Sequence, residues 1–391
     1  MKRKVPFSKP CFNDEDIDEI LNCIETVLRS GWLTSGINVK KLEEQFAKFI
    51  GAKEAVALNS CTAALHAILL ALGIKSGDEV IVPTNTFVAT ANAVLYVGGR
   101  PVFADSDPDT FNISPEDIQN KISRKTKAMI VVHLGGNPCE MKELNELAED
   151  YNIALIEDCA HAHGAKYRGV SCGTFGIANA FSFYPTKVIT AAEGGIVTTN
   201  CPQIAERIRI IRNHGRAGFG PREIVELGYN YRMSEIHAAI GLNQLKHVDE
   251  FVQHRNRIAK MYKEGLSEID WIEPQQVKDG NVCSYYAYIV KLTEDAPINR
   301  EMLMEKLNEY GIMTSVLYHP VHLQPFYIKK FGNYAYTLPV AEELGKTSFA
   351  LPIYNGMSEK EAAYVIYAIK RIAEKVEIGI IEKESHDITY V

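Results

Sequence analysis

Lys187 comes just after the apolar, aromatic run Phe181-Ser182-Phe183-Tyr184-Pro185. Burying an ammonium ion without a partner is costly, so a lysine where the pattern points inward calls for a chemical reason. An amine among apolar groups is held neutral more readily than one in water, and a neutral amine condenses with aldehydes. Lys187 is therefore a candidate nucleophile toward a carbonyl carbon. Asp158 ends the apolar run that begins at Ile153, where a carboxylate needs a lasting cation or a protonated heterocycle. The pyridine nitrogen of pyridoxal phosphate is such a group, and keeping it protonated makes that ring an electron sink. Ser60, Cys61 and Thr62 follow the run Glu54 to Leu58 and open a helical stretch, and the free N–H groups of a helix start suit a phosphate. Phe87, behind Thr84, Asn85 and Thr86, offers a flat face to a planar ring. Each has an ordinary structural reading too, as N-cap, solvated strand end or core aromatic. A phosphate cradle, stacking face, ring partner and reactive lysine in one chain are far more specific than any of them alone.

Those residues sit just past short apolar runs, and the runs alternate with helical stretches from about residue 54: EAVAL then TAALHAILLALG, EVIVP then TFVATANAVLYVG, KAMIVVH then MKELNELAEDY, and IALIED. Such alternation predicts crossover units and a mostly parallel sheet covered on both faces, an α/β core. In open sheets of this kind ligands bind beyond the carboxyl ends of the strands, which is where the candidates fall. Before this core, Ile17, Ile20, Leu21, Ile24, Val27 and Leu28 recur at helical spacing, with Asn13 as N-cap and Gly31 just past the end. After it the character changes. A long polar-faced helix around HVDEFVQHRNRIAKMYKEGL, strand signals in SYYAYIVKL and two further helical stretches predict a smaller α+β domain. The expected division is residues 1–245 for the large domain and 246–391 for the small one, with a loose tail over the last ten residues.

Composition narrows the functional classes. The chain has 391 residues and a formal net charge of -7, so a nucleic-acid or anionic-membrane surface would need a local basic patch, and neither partner is expected. Its start is basic but lacks the apolar segment of a signal peptide, and no apolar run is long enough to span a bilayer, which predicts a cytoplasmic protein. The eight cysteines are scattered without a C-x-x-C pair and read as reduced, packed thiols. His161 and His163 alternate as two residues on one strand face would, but no third ligand stands nearby and no metal is expected. Arg212, His214, Arg216 and Arg222 lie in a glycine-rich stretch and suit either a diphosphate or solvent.

In the order NSCTAALHA, PTNTFVATANAV, IEDCAHAHGA, FSFYPTK, EGGIVTTN, RNHGR, GYNYRMSEIHAAIGL and YHPVHLQPFY, nearly the whole chain resembles the DegT/DnrJ/EryC1/StrS sugar aminotransferases, a branch of the fold type I pyridoxal-phosphate enzymes. The resemblance implies a seven-stranded sheet sandwiched by helices. It implies that Lys187 holds pyridoxal 5'-phosphate and then shuttles protons, that Asp158 pairs with the ring nitrogen, and that His161 touches the ring's 3-hydroxyl. Ser60, Cys61, Thr62 and Ser182 would bind the phosphate, and Phe87 would stack on the ring. Asn230 would reach the cofactor of a neighbouring subunit, making a homodimer with shared sites. Tyr318, His319 and His322 match the family's substrate loop, although they would also suit a packed domain junction. The implied reaction is a ping-pong transfer from an amino-acid donor, glutamate, through the pyridoxamine form to a keto sugar, most often nucleotide-linked. A sugar dehydratase using the pyridoxamine form, a cyclitol-ketone aminotransferase and a non-catalytic regulator that binds the cofactor are the alternatives. Relatives that dehydrate carry a histidine where Lys187 stands, so the lysine favours the transferase. Ala192 before Glu193, Gly135 and Cys159 depart from the usual pattern and bear on the shape of the substrate pocket.

Overall fold

Seven short strands, each an apolar run bounded by polar or glycine residues, form the main sheet: β1 (Glu54–Leu58), β2 (Glu79–Pro83), β3 (Arg100–Ala104), β4 (Thr126–Val132), β5 (Ala154–Asp158), β6 (Ala178–Ser182) and β7 (Gly195–Thr199). The computed structural model describes residues 5–218, 223–379 and 381, so Arg222 and the tail expected from residue 382 lie outside the described residues. The strand order is β1-β7-β6-β5-β4-β2-β3. Neighbours from β6 to β3 pair in parallel, whereas β7 runs antiparallel to both β1 and β6. Every residue of β6 and of β7 is buried, as strands covered on two faces require. Alternation along β1 divides its side chains between the layers. Val56 and Leu58 join the core with helices Cys61–Ala71, Ala89–Tyr96 and Pro202–Ile211, while Ala55 and Ala57 face helices Ile37–Ile50 and Glu235–Leu245. The expected α/β class with its mostly parallel seven-stranded sheet is the observed one.

Later in the chain a second, antiparallel sheet forms from β8 (Ile272–Pro274), β9 (Tyr288–Leu292) and β10 (Ser348–Leu351). Its core is shared with helices Val248–Gly265, Arg300–Glu309 and Glu359–Glu377. Val5, from the other end of the chain, bridges to Ile312 and packs into the same core.

Helix Asp14–Ser30 starts and stops where its residues dictate. Asn13 and Asp16 cap it reciprocally, and Gly31 ends it at φ 69°. Its apolar stripe is only half used: Ile20 and Val27 are buried, but Ile17, Leu21 and Leu28 are exposed, as are Trp32, Leu33 and Ile37 just beyond. None of the helices among the described residues is long and apolar enough to cross a membrane.

His163 lies in an aromatic cage of Phe46, Phe181 and Phe183, fully buried, with neither ring nitrogen hydrogen-bonded. It sits in a turn after β5 rather than on a strand, so it does not share a face with His161. Burial, with Lys187 nearby as a second cause, pushes its pKa down from 6.5 to about 3. The unfolded chain therefore binds a proton that the folded one refuses between those two values. The stability this imidazole contributes is full above pH 6.5 and falls away as the pH drops through the window. His163→Phe should flatten the acid limb, so that on going from about pH 6.5 to 4.5 the unsubstituted protein loses about 2 kcal/mol more than the variant in urea unfolding.

Candidate active site

The parallel strands deliver their carboxyl ends to one edge of the sheet, and the reversed direction of β7 brings its first residue to the same edge. Gly195 is registered against both Leu58 and Ser182, and Asp158 lies beside Ala180. Residues at or just beyond the ends of β1, β2, β4, β5 and β6, and those just before β7, surround one cavity of about 520 Å³. Lys187, Asp158, Ser60, Cys61, Thr62, Phe87, His161, Ser182 and Tyr318, all singled out in the sequence, line it together.

Helix Cys61–Ala71 points its start at the cavity. Ser60 is the N-cap, its Oγ accepting from Ala63 N–H at 3.1 Å, and the first intrahelical bond runs from Ala64 N–H to the Ser60 carbonyl. The N–H groups of Cys61 and Thr62 precede that bond and are offered to an anion. Gly195 packs directly beneath: a Cβ there would stand 2.3 Å from the Ser60 carbonyl carbon and oxygen. Glycine is thus what allows β7 and the helix start to meet. Burial, followed by the nearby Asp158, holds the Cys61 thiol well above its ordinary pKa, so it enters the cavity as a neutral group.

Asp158 is 5 % exposed at the end of β5. Thr90 Oγ1–H donates to its Oδ2 at 2.8 Å and Ala160 N–H to its Oδ1 at 3.1 Å. Burial raises its carboxyl pKa above the usual range, opposed first by the Thr90 hydrogen bond. Its partner in sequence, Glu157, faces the other way and is spent on the structure, accepting from His133 Nε2 and from Gly173, Phe175 and Gly176 N–H. His133, Glu157 and Cys159 place ligand-type atoms within 4.8 Å of one another, but these hydrogen bonds, with Cys139 N–H donating to His133 Nδ1, already occupy the imidazole and the carboxylate.

His161 stacks on Tyr286 with ring centroids 4.0 Å apart, and its Nε2 lies 3.3 Å from the Tyr318 hydroxyl. Its Nδ1 is buried without a partner. Burial first, then Lys187, hold its pKa well below the ordinary value, so the imidazole is neutral. Lys187 Nζ rests 4.3 Å from the centroid of the Tyr286 ring, and its backbone N–H closes a turn onto the Tyr184 carbonyl. Phe87 is 56 % exposed and lines the cavity, so it is not a core aromatic.

Other expectations change. Arg212, proposed for a diphosphate, is taken up by Glu43 Oε1 at 2.5 Å and the Ala57 carbonyl at 2.6 Å, fixing the end of helix Pro202–Ile211 to β1. His322, proposed for substrate, is fully enclosed between Thr84 Oγ1 (2.7 Å) and Glu342 Oε1 (3.2 Å), where it pins the loop that carries Tyr318. His214 and Arg216 are exposed and do not line the cavity. Asn230 is also exposed outside its own chain's cavity, bridged to Asn213. His319 lines an adjoining space of about 710 Å³ that shares Thr86, Phe87 and Tyr318 with the first. The sequence reading missed Tyr286, Thr90 and Glu193 as members of the site. Tyr286 lay in a stretch read only as strand, and Thr90 stood in the quoted PTNTFVATANAV motif without a role of its own. Glu193 stood in the quoted EGGIVTTN motif, the one signal that pointed to it.

The residues fit pyridoxal phosphate. A buried carboxylate with only neutral donors suits a protonated ring nitrogen, the orphaned His161 Nδ1 suits a ring substituent, the helix start suits a phosphate, and Lys187 is free to reach an aldehyde. Comparison with known proteins points the same way. Residues 14–370 match the profile described as the DegT/DnrJ/EryC1/StrS aminotransferase family. The chain is 41% identical over 382 residues to the uncharacterized protein MJ1066 of Methanocaldococcus jannaschii, covering 95% of this chain and 98% of that one. It is 38% identical over 366 residues to GDP-perosamine synthase of Escherichia coli O157:H7, covering 93% and 97%. Among solved structures it is similar to Spr1654 of Streptococcus pneumoniae in its PMP-form, with a TM-score of 0.89 at 30% identity over 96% of this chain and 99% of that one.

Gly195→Ala should leave a folded protein whose helix start is displaced. Equilibrium dialysis should show it holding pyridoxal phosphate about tenfold or more weakly, the scale of losing one hydrogen bond to a charged group. Unaltered retention would separate Gly195 from the phosphate cradle.

Proposed function

The chain belongs to the DegT/DnrJ/EryC1/StrS family of pyridoxal-phosphate-dependent sugar aminotransferases, and on that premise we propose that it moves an amino group from glutamate to a keto sugar linked to a nucleoside diphosphate, by a ping-pong mechanism. The observation that carries this reading is the single cavity in which the Lys187 amine, the buried Asp158 carboxylate and a helix N-terminus converge. Bound there, pyridoxal phosphate supplies an aldehyde that condenses with amines and a ring that accepts electrons from the adjoining carbon.

Lys187 first holds the cofactor through Nζ. As a free amine, Lys187 Nζ would take the proton from the donor's α-carbon and, for the acceptor, would return a proton to the carbon that receives the amino group. Asp158 would balance positive charge at the ring nitrogen, its two oxygens directed by Thr90 and Ala160. If Tyr318 donates to His161 Nε2, Nδ1 carries the hydrogen and serves as a donor into the cavity. Cys61 and Thr62 N–H groups and Ser182 hold the phosphate, and Phe87 and Tyr286 confine the ring and limit water. A nucleotide-linked acceptor is supported by the 38% identity to a protein named GDP-perosamine synthase. Exposed Ile17, Leu21, Leu28, Trp32, Leu33 and Ile37 support a homodimer, in which Asn230 completes the partner's site. The absence of a long apolar helix among the described residues fits a cytoplasmic enzyme.

Purified protein should be yellow, and borohydride should fix the cofactor to the peptide containing Lys187; label on another lysine would remove this mechanism. Lys187→Ala and Asn230→Ala chains should each be inactive, yet a mixture allowed to re-associate should recover up to about a quarter of the full rate, because half the dimers carry one intact site. No recovery despite proven exchange would mean that each site is made within one chain.

A further inference from the structure

Arg255 is among the largest fully buried side chains of the protein, 1 % exposed, and its four hydrogen-bond partners are all neutral. Its Nη1 donates to the carbonyls of Tyr285 at 2.9 Å, Ile353 at 3.0 Å and Tyr286 at 3.4 Å, and its Nε donates to Asn355 Oδ1 at 2.7 Å. A guanidinium without a carboxylate is an expensive way to fill a core, where an apolar side chain of similar size serves better. Its placement needs another explanation than packing.

That explanation lies in what the guanidinium holds. Guanidinium groups only donate, so the Asn355 oxygen must face Arg255 and the Asn355 amide nitrogen must face away. The structure places that nitrogen 2.7 Å from the carbonyl of Val188, the residue after Lys187. Polarisation of the amide by the cation strengthens this second bond. On its other arm Arg255 grips the backbone of Tyr285 and Tyr286, and the Tyr286 ring is the surface on which Lys187 Nζ rests and against which His161 stacks. The Tyr286 hydroxyl also lies 3.3 Å from Thr186 Oγ1, just before the lysine. One buried cation in helix Val248–Gly265 thus fastens both the turn that carries the reactive amine and the wall it faces, across the junction of the two sheets.

We propose that Arg255 and Asn355 are positioning residues for Lys187: Arg255 orients the Asn355 amide, and Asn355 holds the Val188 carbonyl so that the amine stays aimed into the cavity. The part played by that amine rests on the function proposed above, whereas the clamp rests on hydrogen bonds alone.

Two variants test it. Asn355→Leu keeps the shape and removes both bonds. Asn355→Asp keeps an acceptor for Arg255 but turns an oxygen toward the Val188 carbonyl. In full-length, cofactor-free protein, acetylation of Lys187 by acetic anhydride is followed by peptide mass spectrometry from neutral to alkaline pH, with exposed Lys75 as internal reference. Both variants should change the Lys187 rate and its pH profile by roughly three- to tenfold, the weight of one net hydrogen bond, while Lys75 is unaltered. A Lys187 profile like the unsubstituted protein's in either folded variant overturns the proposal, even if the unfolding midpoint falls, because Asn355 would then serve stability only. Pyridoxal phosphate is added separately to the unsubstituted protein. Failure of Lys187 to take it up would refute the proposed function without touching the acetylation result.

Discussion

A carboxylate shut away from water at the end of β5 is the constraint around which the rest is arranged. Among the described residues Asp158 receives hydrogen bonds only from a threonine hydroxyl and a backbone N–H, and neither cancels its charge. Burying it in this way costs stability that a leucine at the same place would not. His161 is kept uncharged by burial and by Lys187, and the Cys61 thiol is kept protonated, so neither competes for the carboxylate, whose charge Lys187 partly offsets.

The geometry that serves this site is mostly a matter of strand direction. Parallel strands bring their carboxyl ends together, and the single reversed strand, β7, brings its leading glycine to the same place from the opposite direction. A side chain at Gly195 would collide with the Ser60–Cys61 peptide, so the absence of a Cβ sets how near the helix start can come to the cavity. The second sheet supplies the other wall. It does so through polar links that cross the junction: Ser284 Oγ donates to the His161 carbonyl, and the Gln275 amide donates to the carbonyls of Thr110 and Leu134. His322, matched from sequence to the substrate loop together with Tyr318 and His319, belongs to the same class of fastening, bonded to Thr84 on one side and Glu342 on the other.

What could be read from the sequence, and what could not, divides along physical lines. Strand ends and helix starts are local properties, written in apolar runs and capping residues, so Asp158, Ser60, Cys61, Thr62 and Lys187, singled out from sequence, all line the one cavity. The direction of β7 was not visible, because a five-residue buried strand carries no mark of its polarity. Tyr286 was missed for a related reason: its neighbours are all apolar or aromatic, and only the folded chain reveals that this ring turns toward the first sheet. Arg212 misled because an arginine in a glycine-rich loop looks free, and its partner Glu43 lies far away in sequence. The exposed half of helix Asp14–Ser30 shows the converse, since its periodicity was correct but one chain does not cover it all.

The bridge between Val5 and Ile312 sets an order of events during synthesis. A growing chain can complete its first sheet while later residues are still inside the ribosome, but the core into which Val5 inserts does not exist until residues beyond 350 have emerged, since Phe349, Leu351 and helix Glu359–Glu377 line it. Throughout that interval the leading segment has no place to dock, and the half-made second core presents bare apolar surface to its surroundings. Translation speed over the last third of the message, and chaperones that shelter nascent chains, should therefore influence the yield of this protein more than the same factors acting on its first half.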